Sequence, residues 1–360
     1  MATNKKSSKK ASNAIALSAI IGIVVGGWAI STGAKDVGYR DDNSGKFTFA
    51  LWGDVPYNPT DAATKVPALI DDINRSGVDF SIFDGDIKNG SSQCDNSVYT
   101  DAIALFNSFR APVVYVPGDN EWTDCHRTNN GGYNGLERLA HIRTTMFNSP
   151  QSFGQKTLLL EHQGQLGGLY AENTRWMYGK VLFVGLNVPG SNNNKVNSDA
   201  QCTNRSDRSL SDCTTDNAEY AARDAANIAF LHESFNKAKS KRAVGIMVII
   251  QADPNFDLPE TENIDERAVA GAPGGSADGY TNFLNAIVAE TMAFKGEVVL
   301  AHGDTHFFKV DKPLLRQNDL LKNFTRVETF GEVNVHWVKV SVDPRSRNVF
   351  TFNPIIVPGN

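Results

Sequence analysis

The sequence predicts an α/β protein built on two sheets with helices outside them. Three observations carry that expectation. β-rich runs alternate with helical patterns through the first half of the chain, the signature of parallel βαβ units. Four such runs stop at a Gly-Asp pair (Gly53-Asp54, Gly85-Asp86, Gly118-Asp119 and Gly303-Asp304), and the chain holds no other Gly-Asp pair. Residues 327–352 alternate in the two-residue period of further strands.

Taken in order, the first strand runs from Phe47 into Gly53-Asp54-Val55-Pro56-Tyr57 and a helix is expected over 61–75. A second strand reaches Gly85-Asp86, a Gly-, Ser- and Asn-rich loop covers 87–96, and a helix over 98–109 leads into the apolar run Val113-Val114-Tyr115-Val116. That run ends in Pro117-Gly118-Asp119-Asn120-Glu121-Trp122, followed by a loop over 123–133 and a helix over 135–147. Residues 173–187 read as a hairpin turning at Gly179-Lys180, and 192–215 as a polar surface insertion. A helix over 217–239 precedes a strand over 243–250 that ends in Gln251-Ala252-Asp253-Pro254. The Gly- and acid-rich segment 259–279 reads as a mobile lid. A helix over 280–294 then feeds the strand ending in Gly303-Asp304-Thr305-His306.

With 360 residues, 41% of them hydrophobic, the chain has enough material for a large core. Its net charge of -5 and the lack of a basic stripe argue against nucleic acid as a stable partner. Lys5, Lys6, Lys9 and Lys10 precede an uncharged run from Ala14 to Ile30, and the first acid is Asp36, which is the pattern of an export signal. The expected division is a signal or anchor over 1–34, a linker over 35–46 and one domain over 47–360, with an uncleaved membrane anchor preferred to a cleaved, secreted form. Without the four lysines of 1–34, the remainder carries 31 basic and 40 acidic residues. Cys94, Cys125, Cys202 and Cys213 lack metal-type spacing. They are expected either as the pairs Cys202–Cys213 and Cys94–Cys125, which suits export, or as free thiols in a reducing compartment.

If Asp54, Asp86, Asp119 and Asp304 meet at one edge, their repulsion needs an answer. Two charges ~4 Å apart cost about 4 kcal/mol at an effective dielectric near 20. Divalent cations or raised pKa values supply it. Oxygen ligands suit Mg, Mn or Ca, and His306 adds a nitrogen acceptable to Mn, Fe or Zn. Two metals sharing a carboxylate and activating a water would hydrolyse a phosphoester.

The order of these motifs resembles the calcineurin-like metallophosphoesterase superfamily, which includes the purple acid phosphatases. That family carries D-x-H, GD, GNH[DE], a lone His after a strand, and GHxH, over the span that here runs from 47 to 352. The resemblance implies a four-layer α/β/β/α sandwich of two mixed β-sheets with a two-metal site at the strand ends. Carried over by residue, Asp54 matches the first aspartate, with Pro56 where the histidine belongs and Tyr57 the nearest substitute ligand. Asp86 matches the bridging aspartate, Asp119 takes the asparagine's place, Asn120 that of the proton-donating histidine, and Glu121 matches its orienting acid. Gln251 stands for the lone histidine, Asp304 for the first of GHxH, and His306 matches the second. The implied ligands are Asp54, Asp86 and His306 for one metal and Asp86, Asp119, Gln251 and Asp304 for the other. His126 is the expected replacement acid, Arg127 the phosphate clamp, and His302 is expected to point away. An exported metal-dependent phosphoesterase acting on a small mono- or diester is the first reading. A catalytically silent relative that binds a ligand or envelope partner is the second.

Overall fold

Strand β1 (Phe47–Trp52) shows how two cores form around one sheet. Phe47, Phe49 and Leu51 face one apolar cluster, while Ala50 and Trp52 face another. Such strands, apolar on both faces, belong to sheets covered on both sides. The computed structural model describes residues 45–256, 270–316 and 319–360, all within the unit Asp36–Asn360. The expected signal or anchor, nearly all of the linker and most of the expected lid lie outside the described residues.

In the first sheet, β1 pairs in parallel with β2 (Phe80–Phe83), which pairs in parallel with β3 (Val113–Tyr115). Its other side is antiparallel, through β13 (Trp337–Val342) and β14 (Phe350–Ile355). The second sheet has the order β4-β5-β6-β7-β8-β12-β9. Its centre, β6 (Val181–Gly185), β7 (Gly245–Ile249), β8 (Glu297–His302) and β12 (Phe324–Glu328), is parallel. Its borders, β4 (Glu161–His162), β5 (Thr174–Tyr178) and β9 (Lys309–Asp311), are antiparallel. The small pair β10 (Leu315–Arg316) and β11 (Asp319–Leu320) stands apart. Phe49, Phe80 and Ile82 of one sheet meet Phe183, Met247 and Ile249 of the other. Each such fully buried side chain contributes about 1.5–3 kcal/mol. Helices α1 (Val66–Ser76) and α2 (Asn96–Asn107) cover the outer face of the first sheet. The two mixed sheets with outer helices are the architecture expected from the sequence, and the hairpin turns at Gly179, whose φ is 56°.

The polar segment 192–215 departs from expectation. It holds a short helix (Asp199–Thr203), and at Leu210 it becomes the start of a 32-residue helix, Leu210–Lys241. Ser209 and Asp212 close a reciprocal capping box that fixes this earlier start.

Both expected disulfides form, Cys94–Cys125 and Cys202–Cys213, and suit an oxidising, extracytoplasmic environment. Among the described residues no helix is long and apolar enough to cross a membrane. Cys94–Cys125 ties the loop after β2 to the loop after β3. Replacing both cysteines with serine is expected to cost about 2–5 kcal/mol in urea unfolding, and an unchanged midpoint would contradict that tie.

Candidate metal centre

The parallel strands of both sheets open on one edge, where their loops interlock. Gly118 and Gly303 show why glycine precedes the aspartates. A Cβ on Gly118 would lie 2.1 Å from Asp86 Oδ1, and one on Gly303 would lie 2.1 Å from Asp54 Oδ2. Each glycine is the seat for another loop's carboxylate. The backbone is also unusual here, with positive φ at Asp54 (52°), Asp86 (64°), Asp304 (77°) and His306 (66°). Aspartate tolerates this conformation better than most residues, and such clusters mark sites whose surroundings hold them in place.

Tyr57 lies at the middle of the first donor set. Its hydroxyl is 2.9 Å from Asp86 Oδ2, 3.2 Å from Asp54 Oδ1 and 3.2 Å from His306 Nε2. His306 Nε2 is itself 3.3 Å from Asp54 Oδ1. A hydroxyl owns one proton and serves only one of those acceptors. Donors sharing one cation at bonds of ~2.0–2.5 Å stand about 3 Å apart, which is the spacing seen. Among the described residues no three His, Cys, Asp or Glu side chains form a metal-holding group on their own. The Tyr57 hydroxyl joins Asp54, Asp86 and His306, so this set fits one hard cation with the tyrosine as a member. His306 Nδ1 faces Glu332 at 3.4 Å, the outer carboxylate that commonly orients an imidazole ligand.

The second set fits poorly. Gln251 Oε1 accepts from Gly190 N at 2.5 Å, so its amide nitrogen turns toward the acids, 3.3 Å from Asp86 Oδ2 and 3.2 Å from Asp119 Oδ1. An amide NH2 donates hydrogen bonds and does not bind a hard cation. Asn120 likewise donates through Nδ2 to Asp86 Oδ2 at 2.6 Å and to the Tyr57 hydroxyl at 3.2 Å. Asp304 Oδ2 accepts from Asp253 N at 3.0 Å. Burial, then the neighbouring Asp119, Glu121 and Asp54, push Asp86 well above the carboxylate range. Burial and then Asp119 do the same to Asp304. Burial, then Asp86 and Asp54, raise the Tyr57 phenol. Burial opposes charge on His306, but Asp54 and Glu332 outweigh it and raise its pKa.

Several contributors were not legible in the sequence. Ser191, Asn192, Asn193 and Asn194 follow one another at φ 50–63°, a left-handed turn. It places the Ser191 hydroxyl 2.8 Å from Asp119 Oδ2 and 2.7 Å from Asp124 Oδ1. The fully buried Arg223 supports the turn by donating to Asn193 Oδ1, Asn193 O and Asn187 O. Glu121 is also structural in its contacts. Its Oε1 accepts from Gly118 N at 2.7 Å, Tyr115 Oη at 2.9 Å and Asp86 N at 3.2 Å, which fastens the second Gly-Asp loop to the third.

His126 has no ring hydrogen bond to the acid cluster, and its Nδ1 is buried without a partner. Burial, with Arg208 and Arg127 adding, lowers its pKa to about 3, so the imidazole carries no spare proton at neutral pH. Asp124 is the group poised there. Burial and then Asp119 raise it to about 7, against the pull of Arg127. Arg127 Nη1 pairs with Asp124 at 2.6 Å. His302 is buried, with Nδ1 2.9 Å from Gly303 O, and belongs to neither donor set.

The His126 shift has a consequence for stability. Between the unfolded pKa near 6.5 and the folded value of about 3, the unfolded chain binds the extra proton. Stability due to this group is complete above 6.5 and falls as pH drops through that window, by at most ~1.4 kcal/mol per unit. His126→Gln is expected to flatten the urea midpoint against pH there, and an unchanged slope would contradict it.

No family model and no curated protein matches the chain. Among solved structures it is similar to a dimetal phosphatase from Danio rerio, at 12% identity over 86% of this chain and 99% of that one, with a TM-score of 0.46. It is also similar to PhoD, at 12% over 88% of this chain and 67% of that one (TM-score 0.49). A third is a purple acid phosphatase from yellow lupin, at 11% over 86% and 54% (TM-score 0.44).

Proposed function

We propose that the protein is an exported, metal-dependent phosphoesterase whose divalent cation, Mn, Mg, Fe, Zn or Ca, is held by Asp54, Tyr57, Asp86 and His306. The carrying observation is the Tyr57 hydroxyl within 2.9–3.2 Å of Asp86, Asp54 and His306. A cation bound there supplies charge to a phosphoryl oxygen and lowers the pKa of a water. The chain's own groups do the rest. Asp119 and Asp304 close the negative wall, Gln251 and Asn120 donate hydrogen bonds to Asp86, and Arg127 offers a cation to a phosphate oxygen. Asp124 holds a proton near neutral pH for the leaving group, in the role the sequence suggested for His126. A second cation, held by Asp86, Asp119, Gln251 and Asp304, would require Gln251 to give up its bond to Gly190.

The rival reading, a silent relative that binds a ligand or an envelope partner, draws support from Asn120. It stands where the family's proton donor belongs, and its amide is spent on Asp86. An assay on generic phosphomonoesters and diesters with Mn or Mg separates the two. Turnover lost on chelation and regained on adding metal supports the enzyme. Absence of turnover, with melting still raised by Mn, supports the silent relative, and turnover indifferent to chelator sinks both.

A further inference from the structure

A pocket of about 320 Å³ adjoins the acid cluster on the Asp119 side. Arg127, Lys195 and Arg208 line it, with the amides of Gln201 and Asn204, and among the described residues Asp124 is its only lining acid. The pocket and the cluster share a wall. Ser191 Oγ touches Asp119 Oδ2 and Asp124 Oδ1, and Arg127 Nη2 donates to that same hydroxyl at 3.4 Å.

Two of the cations are held from behind. Lys195 pairs with Asp278 at 2.6 Å and Arg208 with Asp216 at 2.8 Å, and both acids are buried outside the lining. Arg208 is further fixed by donating to Cys202 O at 3.2 Å, beside the Cys202–Cys213 bridge. Cations anchored in this way meet an incoming anion with little left to order, which is what preorganisation contributes to affinity. The amides of Gln201 and Asn204 add donors suited to phosphate oxygens.

We propose that this pocket is a second anion subsite, which binds a further phosphate of a substrate whose reacting phosphate sits at the acid cluster. The substrate class is then a phosphoester that carries another phosphate group. This rests on the phosphoesterase reading above.

The test is calorimetric binding of inorganic orthophosphate and inorganic pyrophosphate to the full chain with Mn, for the wild type, Lys195→Gln and Arg208→Gln, each checked by its melting curve. Pyrophosphate is expected to bind at least ~10-fold more tightly than orthophosphate. Each folded variant is expected to lose most of that ratio while its orthophosphate affinity stays unchanged, and Lys195→Gln decides if Arg208→Gln fails to fold. A ratio near one in the wild type, or one that both variants keep, overturns the subsite and leaves the phosphoesterase reading standing. If neither anion binds, both readings are overturned.

Discussion

Asp86→Asn is expected to remove at least ~10²–10³-fold of any metal-dependent turnover and to abolish the rise in melting temperature that Mn gives the wild type. Asp86 lies where the loops converge. It accepts from the Tyr57 hydroxyl, from Asn120 N and Nδ2, and from Gln251 Nε2. Asparagine keeps one oxygen and sets an amide NH2 among those donors, so a cation would lose one of its two anionic ligands. Relief of crowding by Asp119, Glu121 and Asp54 opposes the cost of facing an amide with the Tyr57, Asn120 and Gln251 donors, so the variant's melting curve in chelator, where metal contributes nothing, separates loss of the ligand from unfolding. Turnover and Mn response both equal to wild type would remove Asp86 from the site.

Gly118→Ala should be among the most damaging single methyl groups in the site. The added Cβ would meet Asp86 Oδ1 at 2.1 Å and Asp86 N at 2.6 Å, and the second contact is backbone, which no rotamer change relieves. The loops after β2 and β3 must part, although Glu121 holds both by accepting from Gly118 N and Asp86 N. Overpacking of this kind costs about 1–3 kcal/mol or more. Displacement of Asp86 should weaken metal binding along with it. Urea unfolding and Mn titration of the variant check both effects, and wild-type values in either would show that the loops have more room than the contacts imply.

Much of the arrangement was legible because strand ends obey local rules. An apolar run stopped by Gly-Asp announces a strand delivering a carboxylate, and four such ends place Asp54, Asp86, Asp119 and Asp304 on one edge. Tyr57 was legible as a neighbour of Asp54, but its contact with His306 belongs to the packing of two sheets. The orientation of Gln251 was hidden for a similar reason, since a backbone N–H at Gly190 decides which end of the amide faces the acids. The run Ser191-Asn192-Asn193-Asn194 reads locally as loop, and only Arg223, on a helix well along the chain, holds it left-handed. His126 looked apt as an acid from its place after the third motif. Its burial and the approach of Arg208 are tertiary facts, and they set its proton affinity. The early start of the long helix did have a signal, the Ser209-to-Asp212 capping box, which the polar composition around it masked.

Anomalous diffraction from crystals grown with Mn tests the metal centre most directly. The expected result is a single peak within bonding reach of Tyr57 Oη, Asp54, Asp86 and His306, absent in Asp86→Asn. Lack of a peak there, or a second peak between Asp119 and Gln251, would contradict a one-cation centre closed on its far side by an amide.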